Sequence, residues 1–143
     1  MAHPDLDQLL DALLPFAQKC LVERGEFYPF GASLSRAGDL VLQAAHAGDD
    51  PPPALEGLET LEGILRAQAA GGEIRAAGLC VAVRTQPPGQ TKKIDAIHVG
   101  LEHQTGESVS VFLPYEKRWL RKLRFGELYA TTREAKFWVP VEP

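Results

Sequence analysis

Four histidines, two cysteines and a scatter of carboxylates are the side chains of this 143-residue chain that could do acid–base, nucleophilic or metal chemistry. His98 and Glu102 come nearest to a polar site, since on an extended segment they share one face. Four residues at about 3.3 Å rise set them roughly 13 Å apart, beyond hydrogen-bond reach, so each needs partners from elsewhere to act as acid or base. His98 and His103 are an odd number apart. A regular strand sends them to opposite faces, where they cannot chelate one metal, and only a bulge near Gly100 would bring them together. His3 and His46 fall in a terminus and a loop, and no HxH, HxxxH, CxxC or HExxH spacing occurs. No metal is expected.

Nucleophilic and nucleotide chemistry find no better footing. None of Ser33, Ser35, Ser108 and Ser110 sits in a GxSxG elbow. Cys20 and Cys80 fall on expected apolar faces and read as reduced core residues, because free cysteine packs as a small hydrophobe. There is no Walker loop and no dinucleotide fingerprint; the pair Gly71 and Gly72 is explained by a helix end. Asp49 and Asp50, like Glu59 and Glu62, read as solvated charges. No cofactor is expected, and no catalytic residue is assigned.

The elements that must position these residues follow from periodicity. Residues 94–115, IDAIHVGLEHQTGESVSVFLPY, read as two strands around a glycine-containing turn, with Ile97, Val99 and Leu101 on one face and Val109, Val111 and Leu113 on the matching face of the second strand. Residues 5–23 carry Leu6, Leu9, Leu10, Leu13, Phe16, Ala17, Cys20 and Leu21 at helical spacing, with Pro15 predicting a kink or break and Gly25 a stop. Residues 27–34 and 40–45 flank a turn and form a first hairpin, whose Pro29 predicts an edge strand or a bulge. Residues 46–53 are a loop. Leu55, Leu58, Leu61, Leu65 and Ala69 mark a second helix, with Gly57 and Gly63 permitting close packing on the sheet. A third strand over 73–85 puts Ala77, Leu79, Val81 and Val83 on one face, and a last strand is expected near 126–131.

The predicted order is α-β-β-α-β-β-β(-β). It gives one α+β domain over residues 1–143, an antiparallel sheet with helices on one face. That order resembles the profilin-like sheets of roadblock-type proteins, a likeness of fold that implies no function.

Composition bounds the function. The 45% hydrophobic content allows one domain that buries roughly 70% of its unfolded surface without disulfides or metal. A net charge of −4 gives no field that would draw the chain to nucleic acid. With no apolar run of spanning length and no basic-then-hydrophobic leader, a cytoplasmic location and no membrane partner are expected.

The strings GEFYPFG (25–31), LEH..GE (101–107), VFLPY (111–115) and GELYA (126–130) resemble those of a group of small uncharacterised bacterial proteins. The resemblance implies a bacterial cytosolic α+β domain and no activity, ligand or functional residue. Between VFLPY and GELYA this chain departs from it with EKRWLRKLRF.

Residues 116–124 hold five basic side chains and one acid, a net of +4 that leaves −8 on the rest of the chain. Lys117, Arg118, Arg121, Lys122 and Arg124 then form a recognition patch anchored by Trp119, or a short helix or edge segment whose basic heads reach water while Trp119, Leu120 and Leu123 are buried. A protein partner ranks above nucleic acid, since the remaining surface repels phosphate. A second candidate surface is aromatic: alternation sends Tyr28 and Phe30 to one face, and if Phe112 joins them the sheet has a second hydrophobic side suited to a homodimer. The reading is a non-enzymatic protein-binding module such as an adaptor, scaffold or immunity-type inhibitor. The alternative is a small hydrolase or transferase using His98 as acid or base, which requires a carboxylate from another element.

Overall fold

The computed structural model describes residues 3–44, 53–118 and 122–139. Its first element, α1 (Pro4–Arg24), buries Leu6, Leu9, Leu13, Ala17 and Leu21, one side chain per turn at spacings of three and four. Each buried leucine contributes on the order of 1.5–3 kcal/mol. Asp5 and Asp7 lie in the first turn, at the positive end of the helix dipole. The helix does not break at Pro15. That residue is exposed, so its ring points away from the core, and burial of the stripe offsets the missing backbone donor. Gly25 closes the helix at φ 79°, its N–H donating to the Leu21 carbonyl at 2.9 Å.

After α1 come β1 (Phe30–Ser35) and β2 (Leu40–Ala44), then α2 (Ala54–Ala70), β3 (Ile74–Thr85), β4 (Ile94–His103), β5 (Ser108–Arg118), β6 (Lys122–Phe125) and β7 (Tyr129–Thr132). The seven strands form one antiparallel sheet in the order β2-β1-β3-β4-β5-β6, with β7 also pairing β5. The predicted elements all form in type and order, with β6 as an additional strand, and the α+β class holds. The expected edge position of the first strand does not. β1 lies between β2 and β3, and Pro29 is buried just ahead of it, where no ladder bond is asked of it. The register shift in β1 falls at its other end, between Leu34 and Ser35.

The two helices lie on opposite faces of the sheet, not on one. A Cβ built on Gly78 of β3 would meet Leu13 of α1 at 2.7 Å, whereas one built on Gly31, a register partner of its neighbour Leu79, would meet Leu65 of α2 at 3.6 Å. Alternation along β3 sends these two positions to opposite sides. The α1 face carries the larger core, with Ile97, Val99 and Leu101 of β4 beside Val111 and Leu113 of β5, as the sequence pattern predicts. On the other face Leu61, Leu65 and Ala69 of α2 pack with Ile74, Ala77, Leu79 and Phe137. Of the two interior helix glycines, Gly57 is buried, but Gly63 has nothing within 4 Å of a would-be Cβ and needs no close approach.

The β4–β5 turn forms as expected: Gly106 adopts φ 100° and the His103 N–H donates to the Glu107 carbonyl at 2.8 Å. Along the outer side of β5, β6 and β7 act as one interrupted partner. The interruption faces Pro114, which has no N–H to give, and the Gly126 N–H donates to the Pro114 carbonyl at 2.8 Å. No helix among the described residues is long and apolar enough to cross a membrane.

Candidate functional site

Strand β4 distributes its polar side chains over both faces, and each meets a different set of partners. On the α1 face, His103 Nε2 lies 2.9 Å from Asp5 Oδ2, at the start of α1. Thr105 donates its backbone N–H to His103 Nδ1 at 3.2 Å, so Nε2 carries the ring proton and donates it to Asp5. Arg75 of β3 completes the group, with Nε 3.0 Å from Asp5 Oδ2 and Nη2 donating to Oδ1 at 3.1 Å. His3 stacks on His103 with ring centroids 3.9 Å apart and accepts the Asp5 N–H at 3.0 Å. Burial works against the charge on Asp5, but the His103 and Arg75 hydrogen bonds and the Arg75 charge outweigh it and hold the carboxyl below its ordinary value.

Ligand-type atoms of His3, Asp5 and His103 lie within 4.8 Å of one another, close enough to share a cation. The hydrogen bonds assign them otherwise. The proton on His103 Nε2 leaves it no lone pair for a metal, and Arg75 already neutralises Asp5. The cluster ties the start of α1 to the β4–β5 hairpin.

On the opposite face, Glu102 is 1% exposed and fully engaged. It accepts the backbone N–H groups of Lys136 at 2.8 Å, Phe137 at 2.9 Å and Trp138 at 3.4 Å, and pairs with Arg133 Nε at 3.2 Å. This carboxylate pins the segment after β7 across the sheet and seats Phe137 against α2. Glu102 thus shares a face with His98, as its spacing predicts, but serves as an anchor. Its signal was invisible in sequence because its partners lie more than thirty residues on.

His98 heads a row of rings. It stacks on Phe112 at 4.7 Å, and Phe112 stacks on Tyr129 at 5.0 Å. His98 Nε2 lies 2.9 Å from Ser110 Oγ, and the Tyr129 hydroxyl is 3.3 Å from Thr85 Oγ1. Burial, reinforced by the Arg133 charge, pulls the His98 pKa down to about 4, so the imidazole is neutral at pH 7. The contact with Ser110 has the length of a nucleophile–base pair. It lacks the rest: among the described residues no hydrogen bond joins His98 to a carboxylate, and Ser110 is 7% exposed, with little room for an incoming acyl group.

The row of rings ends at a cleft of about 380 Å³, which Tyr129 helps to line. Pro87 and Pro88 from the β3–β4 loop, Ile94, Pro114, Tyr115 and Leu128 supply its apolar walls, and Glu116, Arg124 and Glu127 its charges. Burial, with the Asp95 charge, raises the Tyr115 pKa and keeps the phenol neutral. The basic segment, expected as a helix or an edge piece, is part of a hairpin in which Glu116 pairs with Arg124, Lys117 with Leu123 and Arg118 with Lys122. Lys117 and Lys122 are exposed, and Lys117 lines a second hollow with Leu21, Gly25 and Leu123. Trp119 and Arg121 lie outside the described residues. Of the predicted aromatic surface, Tyr28 is 46% exposed, whereas Phe30 is buried edge-on to Phe16 at 5.1 Å. The two do not share a strand face because β1 starts only at Phe30. Phe112 stands on the other side of the sheet from Phe30, so the expected Tyr28–Phe30–Phe112 surface does not assemble.

Sequence reasoning missed Tyr129, Arg133, Asp5 and the proline rings of the cleft. The only local hint was the pair Pro87-Pro88, which reads as a loop. Compared with known protein families, with curated proteins and with solved structures, the chain gives no match.

Proposed function

We propose that this protein is a non-enzymatic binding module that holds a peptide segment of a protein partner in the cleft beside the β5–β6 hairpin. The observation that carries the reading is the juxtaposition of a cleft walled by proline and tyrosine rings with the hairpin bearing Lys117, Lys122 and Arg124. Rigid rings offer large contact area at low entropic cost. Lys117, Lys122 and Arg124 of the neighbouring hairpin, rather than the cleft's own lining with its Glu116 and Glu127, favour an acidic partner segment. A hydrolase or transferase built on His98 is the weaker reading, because among the described residues the imidazole meets a ring, a hydroxyl and a cation but no acid.

The test is affinity capture followed by mass spectrometry with wild type, Tyr129→Ala and Arg124→Glu. A partner held by wild type and lost from both variants supports the assignment, with loss expected at about ten-fold or more if Tyr129 is an anchor. Identical captured sets from all three would remove the cleft from consideration.

A further inference from the structure

The opposite edge of the sheet presents an exposed apolar strand that the cleft does not explain. β2 reads LVLQA, without charge or proline, and its ladder with β1 runs without a bulge. Leu40, Val41 and Leu42 are 40%, 47% and 56% exposed, three consecutive apolar side chains on both faces of the strand. Among the described residues no strand pairs its outer side. Natural edge strands are blunted by lysine, proline, bulges or short length, and β2 uses only the last.

The backbone of β2 decides what such an edge can take. The Ser35 N–H donates to the Asp39 carbonyl at 2.9 Å, which makes that couple a hydrogen-bonded pair of the β1–β2 ladder. Alternation then turns the amides of Val41 and Gln43 toward β1 and leaves those of Leu40, Leu42 and Ala44 facing outward. We propose that β2 pairs antiparallel with β2 of a second copy of this chain, about a twofold axis at Leu42, joining the two sheets into one.

This register uses every residue of the strand. Leu42 meets Leu42 of the other copy, Leu40 meets Ala44 and Val41 meets Gln43, so apolar side chains line the seam. Charge is compatible with the same occupant. The chain carries −4, yet none of it lies on β2, and self-pairing sets no like charges opposite one another. A charged strand from another protein would find no counter-charge there. Phe16, 48% exposed and packed on Phe30, whose register partner is Ala44, extends the apolar seam on the α1 face. The inference rests on β2 alone and stands or falls apart from the cleft.

Sedimentation equilibrium of the full chain, from low micromolar to near millimolar, should show a monomer–dimer equilibrium reaching twice 15.6 kDa. Leu42→Lys places two ammonium groups on the axis and should weaken the dimer about ten-fold or more, while Val22→Lys, exposed on α1 beside Leu123 of β6, should leave it unchanged. Amide hydrogen exchange on wild type provides a readout that does not depend on any variant folding. Protection of the Leu40, Leu42 and Ala44 amides should rise with protein concentration, while that of Val41 and Gln43 stays constant. A chain that remains monomeric throughout, a Leu42→Lys protein that dimerises like wild type, or Leu42 protection independent of concentration would each overturn the proposal.

Discussion

His98 and His103 stand five residues apart on one strand, and the sheet gives them opposite lives. His103 meets a carboxylate, itself paired with Arg75, and a backbone donor, so its proton has a fixed position and its ring becomes a strut. His98 meets two aromatic rings in series, a hydroxyl and a guanidinium, so its neutral form is the stable one. The difference teaches that a histidine's chemistry is written by the charge of what faces it, not by the strand that carries it. Glu102, the neighbour of one and the face-mate of the other, shows the same rule for a carboxylate. Sunk at 1% exposure, it is kept by three backbone donors and Arg133.

The largest expected effect comes from removing that carboxylate. Glu102→Ala leaves Arg133 and three backbone N–H groups without their acceptor and should cost about 3–5 kcal/mol, read as a lower midpoint in urea unfolding. A loss below about 1 kcal/mol would mean that water replaces the carboxylate and that the anchor is not needed.

Asp5→Asn is next. It removes the charge that Arg75 and His103 share and should cost on the order of 2–3 kcal/mol at pH 7. Because the Asp5 pKa is lowered in the fold, its contribution is present above the unfolded value and is lost as pH falls below about 4. The variant should therefore have a flatter acid limb in a stability–pH curve than wild type. Equal limbs would place the acid sensitivity elsewhere.

The smallest effect separates the two histidines directly. In the unfolded chain His98 takes a proton near its ordinary pKa of about 6.5, whereas the folded protein resists until about 4. The unfolded state thus binds more protons in that window, and stability falls as pH drops from 6.5 toward 4, by on the order of 2 kcal/mol. His98→Gln should abolish this slope and leave the Asp5 limb below pH 4 intact. A slope that survives the substitution would show that His98 is not its source.

Much of this architecture was legible in the chain. Leu6, Leu9, Leu13 and Leu21 announced α1 because a helix period repeats on itself within a few residues, and the alternation of Ile97, Val99 and Leu101 announced β4 in the same way. The reading that His98 and His103 point apart needed only the two-residue period of a strand. A break at Pro15 was overruled by burial of the helix stripe, and the edge reading of β1 by a strand that begins one residue after Pro29. The single-face arrangement of helices was not decidable from order alone. Alternation along β3 gives both sides small or apolar residues, Ala76, Gly78 and Cys80 on one and Ala77 and Leu79 on the other, so either could take a helix.

The candidate site was less legible, for a physical reason. Its pieces converge across long chain separations: Asp5 on His103 over 98 positions, Thr85 on Tyr129 over 44, Glu102 on Phe137 over 35. The sequence by itself determined the helices, the strands, the β4–β5 turn and the segregation of positive charge around residues 116–124, all properties set by neighbours within a turn or a pleat. Tertiary structure alone decided which carboxylate faces which histidine, that Glu102 anchors the segment around Phe137, and that the rings of Phe112 and Tyr129 lead to a cleft. Those outcomes depend on register and on which helix covers which face, and neither is encoded in any short stretch of residues.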